Sequence, residues 1–215
     1  MKKILFKDRY GLTAAVLEKR KTMTRRVERI DFYPGSREEQ IEKFCKRSAT
    51  DAKGRSVWLG FDNKGNQITQ LISHYAIGEE IAVAQSYKTL IEQGYLCRES
   101  DGWVSEECVT SPGYSNKMFV RADLMSHRIR ITNIRMERLQ DIRDEDCMGE
   151  GITTITEGKN EVGNAYGWDV KIDALERDSF FTPRAAFAAL IDKVSGNGTW
   201  ERNPWVFVYE FELIK

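Results

Sequence analysis

Net charge is what this chain most plainly lacks: 33 lysines and arginines balance 33 aspartates and glutamates across 215 residues. Without an overall field, attraction to nucleic acid or another polyanion must come from a local patch. Histidine is scarce. His74 and His127 stand alone, which argues against a histidine-built metal centre and against a triad of the Ser-His-Asp kind. Cys45, Cys97, Cys108 and Cys147 show no C-x-x-C spacing, so reduced thiols are expected, with a Cys97 to Cys108 disulfide or metal role as the alternative. Long apolar runs are missing too. No stretch nears the roughly 18 to 20 residues of a membrane span, and the opening MKKILF turns polar at Lys7-Asp8-Arg9, short of the apolar region of a secretion signal. The expectation is a cytoplasmic protein with no membrane contact, cofactor or metal.

What is present suffices for a core: 41% hydrophobic and 11% aromatic residues point to one elaborated domain, or a domain with a long insertion. The densest local charge is the stretch EKRKTMTRRVER, residues 18–29, with Lys19, Arg20, Lys21, Arg25, Arg26 and Arg29. Such a run is ordinarily a solvated face or a phosphate-contacting patch. The hydroxyls of Thr22 and Thr24 among the cations leave a chemical role open.

Periodicity orders the rest. Lys3 to Phe6 reads as a short strand, Tyr10 to Lys19 as a helix, and Lys21 to Val27 as an extended segment. Residues 31–78 differ in texture, with a turn at Tyr33-Pro34-Gly35, an amphipathic helix predicted over Arg37 to Arg47, and a hairpin over Val57 to Ile72 around Asp62-Asn63-Lys64-Gly65-Asn66. They read as an insertion or lid. Glu80 to Tyr87 returns to strand alternation, residues 88–116 form a second, turn-rich excursion, and Met118 to Val120 is a strand candidate. Along Arg128 to Leu139 the isoleucines at 129 and 131 give way to Ile134 and Met136, so a bulge is predicted near Thr132-Asn133. Asp144 is expected to cap a short helix ending near Gly149, and a long polar loop covers about 154–181. Thr182-Pro183 then supplies N-cap and first turn of a helix with face Phe187, Leu190, Ile191 and Val194, stopped by Gly196. The last run, PWVFVYEFELI, is apolar at both parities, as in a strand buried on both faces or a central barrel strand.

Three stretches, LEKRKTMTRR at 17–26, IRITNIRMERLQDIRDEDCMGEGIT at 129–153 and TPRAAFAALIDKV through PWVFVYEFELI, resemble the ASCH domain, a small β-barrel related to the PUA fold. The resemblance covers about half of the chain and implies an α+β fold: a PUA-like barrel with flanking helices and an inserted lid or hairpin. The family's first motif usually reads G-x-K-T-x-T/E-x-R; here Glu18-Lys19-Arg20 precedes the K-T pair without the glycine. In motif the chain is most similar to bacterial 4-acetylcytidine amidohydrolases. That likeness implies catalytic roles for Lys21, Thr24 and Glu150, and a hydrolase of an acylated nucleoside or related small amide.

Amide hydrolysis needs a nucleophile, a group that takes its proton and an acid for the departing amine. Thr24 supplies a hydroxyl, Lys21 an amine that burial or nearby arginines would make a better base, and Glu150 a carboxyl. Positions 21 and 24 point to opposite faces of a flat strand, so a turn or bulge between them is a requirement. Thr22, Arg25, Arg26, Tyr87 and Lys117 are candidate substrate-binding residues, with Trp103, Tyr114 and Trp168 as further aromatics able to stack on a base. On residue chemistry alone, Glu150 between two glycines is ordinarily a surface turn. Two other readings stay open: an RNA-binding module or ribonuclease using the same basic cleft, and a non-catalytic domain whose insertions form a partner surface.

Overall fold

The computed structural model describes residues 1–94, 106–155, 165–168 and 179–214. In chain order the elements are β1 (Lys3–Ile4), α1 (Leu12–Leu17), β2 (Met23–Val27), β3 (Lys43–Thr50), β4 (Arg55–Phe61), β5 (Gln67–Ala76), β6 (Glu80–Val83), α2 (Tyr87–Glu92), α3 (Glu106–Thr110), β7 (Arg128–Arg138), α4 (Asp144–Gly149), β8 (Thr153–Ile155), β9 (Ala165–Gly167), α5 (Pro183–Ser195), α6 (Thr199–Arg202) and β10 (Trp205–Leu213). The fold is α+β. Its main sheet runs β1-β6-β7-β10-β2, with β1 parallel to β6 and the other pairs antiparallel.

No main-chain ladder joins the edge strands β1 and β2 among the described residues, so the sheet is open. The two edges still meet through a side chain: Arg26 donates from NH2 to the carbonyl of Leu5 at 2.7 Å. The site described below lies at this seam.

The final strand is central, as its two-sided apolar pattern requires. Val206, Phe207, Val208 and Tyr209 are wholly buried between β2 and β7. The ladder between β7 and β10 slips where Glu210 pairs Asn133 and Phe211 pairs Ile131, leaving Thr132 unpaired. That bulge switches the apolar side of β7 from odd to even positions and lets both halves reach the core. Helix α5 begins with the Thr182 hydroxyl accepting from the amide of Ala185, then Pro183, and ends at Gly196 with φ 106°. Its buried face is Ala186, Phe187, Leu190 and Ile191, with Val194 packed against the same core.

Residues 31–78 do not form a lid over the seam. Strands β3, β4 and β5 make a separate antiparallel sheet that packs on the aromatic side of β10. Phe44 meets Trp205 edge-on at 4.9 Å, Tyr75 meets Tyr209 at 5.1 Å and Trp58 meets Phe207 at 6.5 Å. Such tilted aromatic pairs are each worth about 0.5–1.5 kcal/mol beyond area burial. The amide of His74 also donates to the Tyr209 hydroxyl at 2.9 Å. The predicted hairpin is present, with Asp62 accepting from the amides of Lys64 and Asn66.

Three local expectations are corrected. Residues 37–47 are a single 3-10 turn, Glu38–Gln40, followed by the start of β3, because the exposed edge of β4 supplies main-chain partners that a mostly polar helix could not outweigh. Lys117–Phe119 is a 3-10 turn rather than a strand; the Lys3 ammonium takes the carbonyls of Lys117, Met118 and Val120 that a ladder would have used. Arg143, not Asp144, is the N-cap of α4, and Asp144 sits in the first turn, where a carboxylate favours the helix dipole.

Cys97 lies outside the described residues; Cys45, Cys108 and Cys147 are free thiols. Burial pushes the Cys147 thiol up to about 12 from 9.0, whereas Cys45 is exposed. A disulfide-exchange reagent is therefore expected to modify Cys45 quickly and Cys147 only on unfolding; mass spectrometry of the native and denatured protein reads the difference. The stabilisation that keeps Cys147 protonated is complete below pH 9 and is lost as pH climbs toward 12. No helix among the described residues is long and apolar enough to cross a membrane.

Candidate active site at the sheet seam

The basic stretch is shaped by how α1 ends. Lys19 takes a left-handed backbone, φ 61°, and the amides of Arg20 and Lys21 both donate to Ala15 O. Lys19 stands two residues before Lys21, where the ASCH-type motif usually carries glycine, and it adopts the conformation that glycine accommodates without a Cβ penalty. Lys19→Gly is accordingly expected to stabilise the protein by about 0.5–1 kcal/mol in urea unfolding; a loss of stability would show that the Lys19 side chain has a compensating role.

The strand begins only at Met23. Lys21 and Thr22 therefore precede the pleat, and Lys21 and Thr24 line the same cavity, which meets the geometric requirement stated above. The end of α4 is brought against this segment by a main-chain bond, Thr22 N to Gly149 O at 2.9 Å. A Cβ on Gly149 would lie 3.1 Å from Met23 Cε and 3.3 Å from Thr22 Oγ1, so the approach is close because residue 149 has no side chain. Gly151, at φ 102°, then turns the chain away.

Between those glycines Glu150 is buried, not a surface turn. Its Oε2 accepts from Lys21 Nζ at 2.5 Å, its carbonyl from the same ammonium at 2.7 Å, and its Oε1 from Arg25 NH1 at 3.2 Å. Lys21 is 3% exposed and Glu150 is 4% exposed, so this is an ion pair out of water. Desolvation lowers the Lys21 pKa from its ordinary value and the nearby Arg26 and Arg25 charges add to that, while Glu150 opposes it.

Arg25 reaches further. Its guanidinium also donates to Glu137 at 2.7 Å and to Asp146 at 2.8 Å, and the side chain has no exposed surface. Burial works against its charge, but Glu150, Glu137 and Asp146 together outweigh that and hold it protonated above the usual arginine range. Arg135 continues the network to Asp146, Glu137 and Glu210. Arg25 thus clamps α4 to β2 and β7 rather than waiting for a ligand.

The cavity has a volume of about 720 Å³, within the roughly 300–1,000 Å³ range of small-molecule sites. Leu5 and Phe6 line it from the β1 edge, Thr24 to Val27 from β2, and Phe187, Leu190, Ile191 and Val194 from α5. Ser115 and Asn116, the end of the second excursion, line its wall together with Lys117 and Met118 just beyond. Lys117 is engaged there as a strut, donating to Phe6 O at 2.5 Å, Asp8 at 2.8 Å and Thr13 at 3.1 Å. No side chain among the described residues holds the Thr24 hydroxyl by a hydrogen bond.

Two predicted binding residues lie elsewhere. Thr22 is exposed beside Gly149, because the main chain turns its side chain out as Lys21 turns in. Tyr87 packs against Gly113 in the small cluster around Leu90 and Val120. Of the further aromatics, Trp168 stacks on Phe180 in the core, Tyr114 is absent from the cavity wall, and Trp103 lies outside the described residues. Sequence reasoning missed Asp146 and Glu137 as partners of Arg25. The four-residue spacing of Asp146 and its C-cap neighbour Glu150 would have placed both carboxylates on one side of the α4 segment. Among the described residues, no three His, Cys, Asp or Glu side chains are grouped to hold a metal ion.

No protein-family model, curated protein or solved structure matches the chain.

Proposed function

We propose that the seam cavity hydrolyses the amide of an acylated nucleoside or a related small amide. The supporting observation is that Lys21, Thr24 and Glu150, the residues singled out by the likeness to ASCH-type amidohydrolases, line one nucleoside-sized cavity although Lys21 and Glu150 are 129 residues apart. In this reading the open five-stranded sheet is a PUA-like barrel left unclosed at the β1–β2 seam.

The chemistry follows from the buried pair. Passage of one proton from Lys21 to Glu150 turns the ion pair into a neutral amine and a neutral acid, a transfer that the burial lowering the Lys21 pKa assists. The Thr24 oxygen attacks the acyl carbon while the amine of Lys21 accepts its proton. A C–O bond forms and the carbonyl electrons move to oxygen. Collapse of the intermediate breaks the C–N bond as Glu150 protonates the leaving nitrogen. Water, deprotonated by the Glu150 carboxylate so formed, adds to the acyl carbon; the C–O bond to Thr24 breaks as Lys21 returns its proton to the Thr24 oxygen, the acid leaves, and passage of the Glu150 proton back to Lys21 restores the starting pair.

The direct test is incubation with 4-acetylcytidine and chromatographic assay of cytidine and acetate. Turnover above the spontaneous rate supports the reading. Absence of turnover with this substrate and with other N-acylated nucleosides would remove it.

A further inference from the structure

We propose that the same cavity contains an anion subsite, built from Arg26 with Arg9 and Lys7 at its opening, that takes the phosphate of a nucleoside 5′-monophosphate. The inference rests on the nucleoside reading above for its organic part, and on an independent charge audit for the anion.

Six cations line the cavity: Lys7, Arg9, Lys21, Arg25, Arg26 and Lys117. Three are spoken for. Lys21 is paired with Glu150, Arg25 with Glu137, Asp146 and Glu150, and Lys117 with Asp8. Arg26, Arg9 and Lys7 have no carboxylate within salt-bridge distance among the described residues. Arg26 spends one of its five N–H groups on Leu5 O, and Glu28, two residues along the chain, senses its charge without touching it. The remaining fork of an arginine matches a phosphate by two parallel hydrogen bonds. Every acidic side chain on the wall, Asp8 and Glu150, is already matched by a cation. The charge left unmatched in the cavity is therefore positive.

Position supports the same ligand. The Phe6 ring centroid is 5.8 Å from Arg26 Cζ and 5.8 Å from Lys21 Nζ. The two cations thus lie no farther apart than twice that distance, and both lie against the Phe6 ring. A ligand with its amide at the Lys21–Glu150 pair and an anion at Arg26 therefore spans no more than that distance. An N-acylated nucleotide has this layout, with amide and phosphate at opposite ends of its base and sugar.

Calorimetric titration of the full chain with cytidine 5′-monophosphate, cytidine and inorganic phosphate tests the subsite without depending on turnover. The monophosphate is expected to bind about ten- to a hundredfold more tightly than cytidine, the gain from charge-assisted hydrogen bonds. Inorganic phosphate should compete with it. Arg26→Gln, which keeps a donor for Leu5 O, and Arg9→Gln should each shrink that preference. Equal affinity for cytidine and its monophosphate, or a preference that survives both substitutions, overturns the proposal. An affinity that keeps rising from monophosphate to 5′-phosphorylated tetranucleotide also overturns it, since the anion would then be a polynucleotide backbone. If 4-acetylcytidine is hydrolysed but phosphate adds no affinity, only the subsite falls. If phosphate adds affinity but no amide is cleaved, only the assigned chemistry falls.

Discussion

Arg25→Ala is expected to destabilise the protein by about 3–5 kcal/mol, the cost of breaking a buried ionic cluster from one side. The guanidinium has no exposed surface and is the shared partner of Glu137, Asp146 and Glu150, which come from β7, α4 and the residue just after α4. Removing it leaves Glu150 with Lys21 alone and concentrates negative charge where water is scarce. For a chain of this size the loss corresponds to a drop of roughly 6–20 °C in melting temperature. Arg25→Lys restores the charge but not the fork that meets three carboxylates, so it should recover only part of the deficit. Thermal and urea unfolding read both variants. A change below about 1 kcal/mol for Arg25→Ala would mean that the cluster behaves like a solvated surface pair.

The second large effect concerns turnover. On 4-acetylcytidine, Thr24→Ala is expected to lower kcat by about 10²–10⁴-fold, with Lys21→Met similar, the range for loss of a positioned proton-transfer partner. The two should not add in the double variant, because nucleophile and base act as one unit. Thr24→Ser retains the hydroxyl and should retain measurable turnover, which separates a chemical role from a packing one. Lys21→Met also removes a buried charge, so its unfolding curve must be measured alongside its kinetics. Turnover unchanged in both Thr24→Ala and Lys21→Met removes the assigned mechanism even if hydrolysis itself is real. The mechanism needs one proton shared by the Lys21–Glu150 pair, so kcat should fall as pH rises through the Lys21 pKa, which burial places below the ordinary lysine value.

Features governed by adjacent residues were legible beforehand. The Thr182 cap, Pro183 in the first turn and Gly196 at the stop delimit α5 by short-range hydrogen bonds and backbone freedom. The Thr132 bulge was visible as a change of parity along β7, and the Asp62 turn as side-chain acceptors placed two and four residues from their donors. Where the prediction failed, a distant partner had taken over. Lys3 claimed the carbonyls of Lys117, Met118 and Val120, and β4 offered β3 an edge that outweighed its helical spacing.

The same division runs through the site. The sequence by itself determined which groups are chemically available, Lys21 and Thr24 in a basic stretch and Glu150 between glycines, because identity and local spacing are written along the chain. Only the tertiary structure decided that Glu150 leaves the surface, that Arg25 is consumed by three carboxylates while Arg26 remains unmatched, and that Thr22 and Tyr87 stay outside. Those outcomes depend on β2, α4 and β7 being packed within hydrogen-bond reach, and charge pairing in a dry interior is a property of that packing rather than of any one segment.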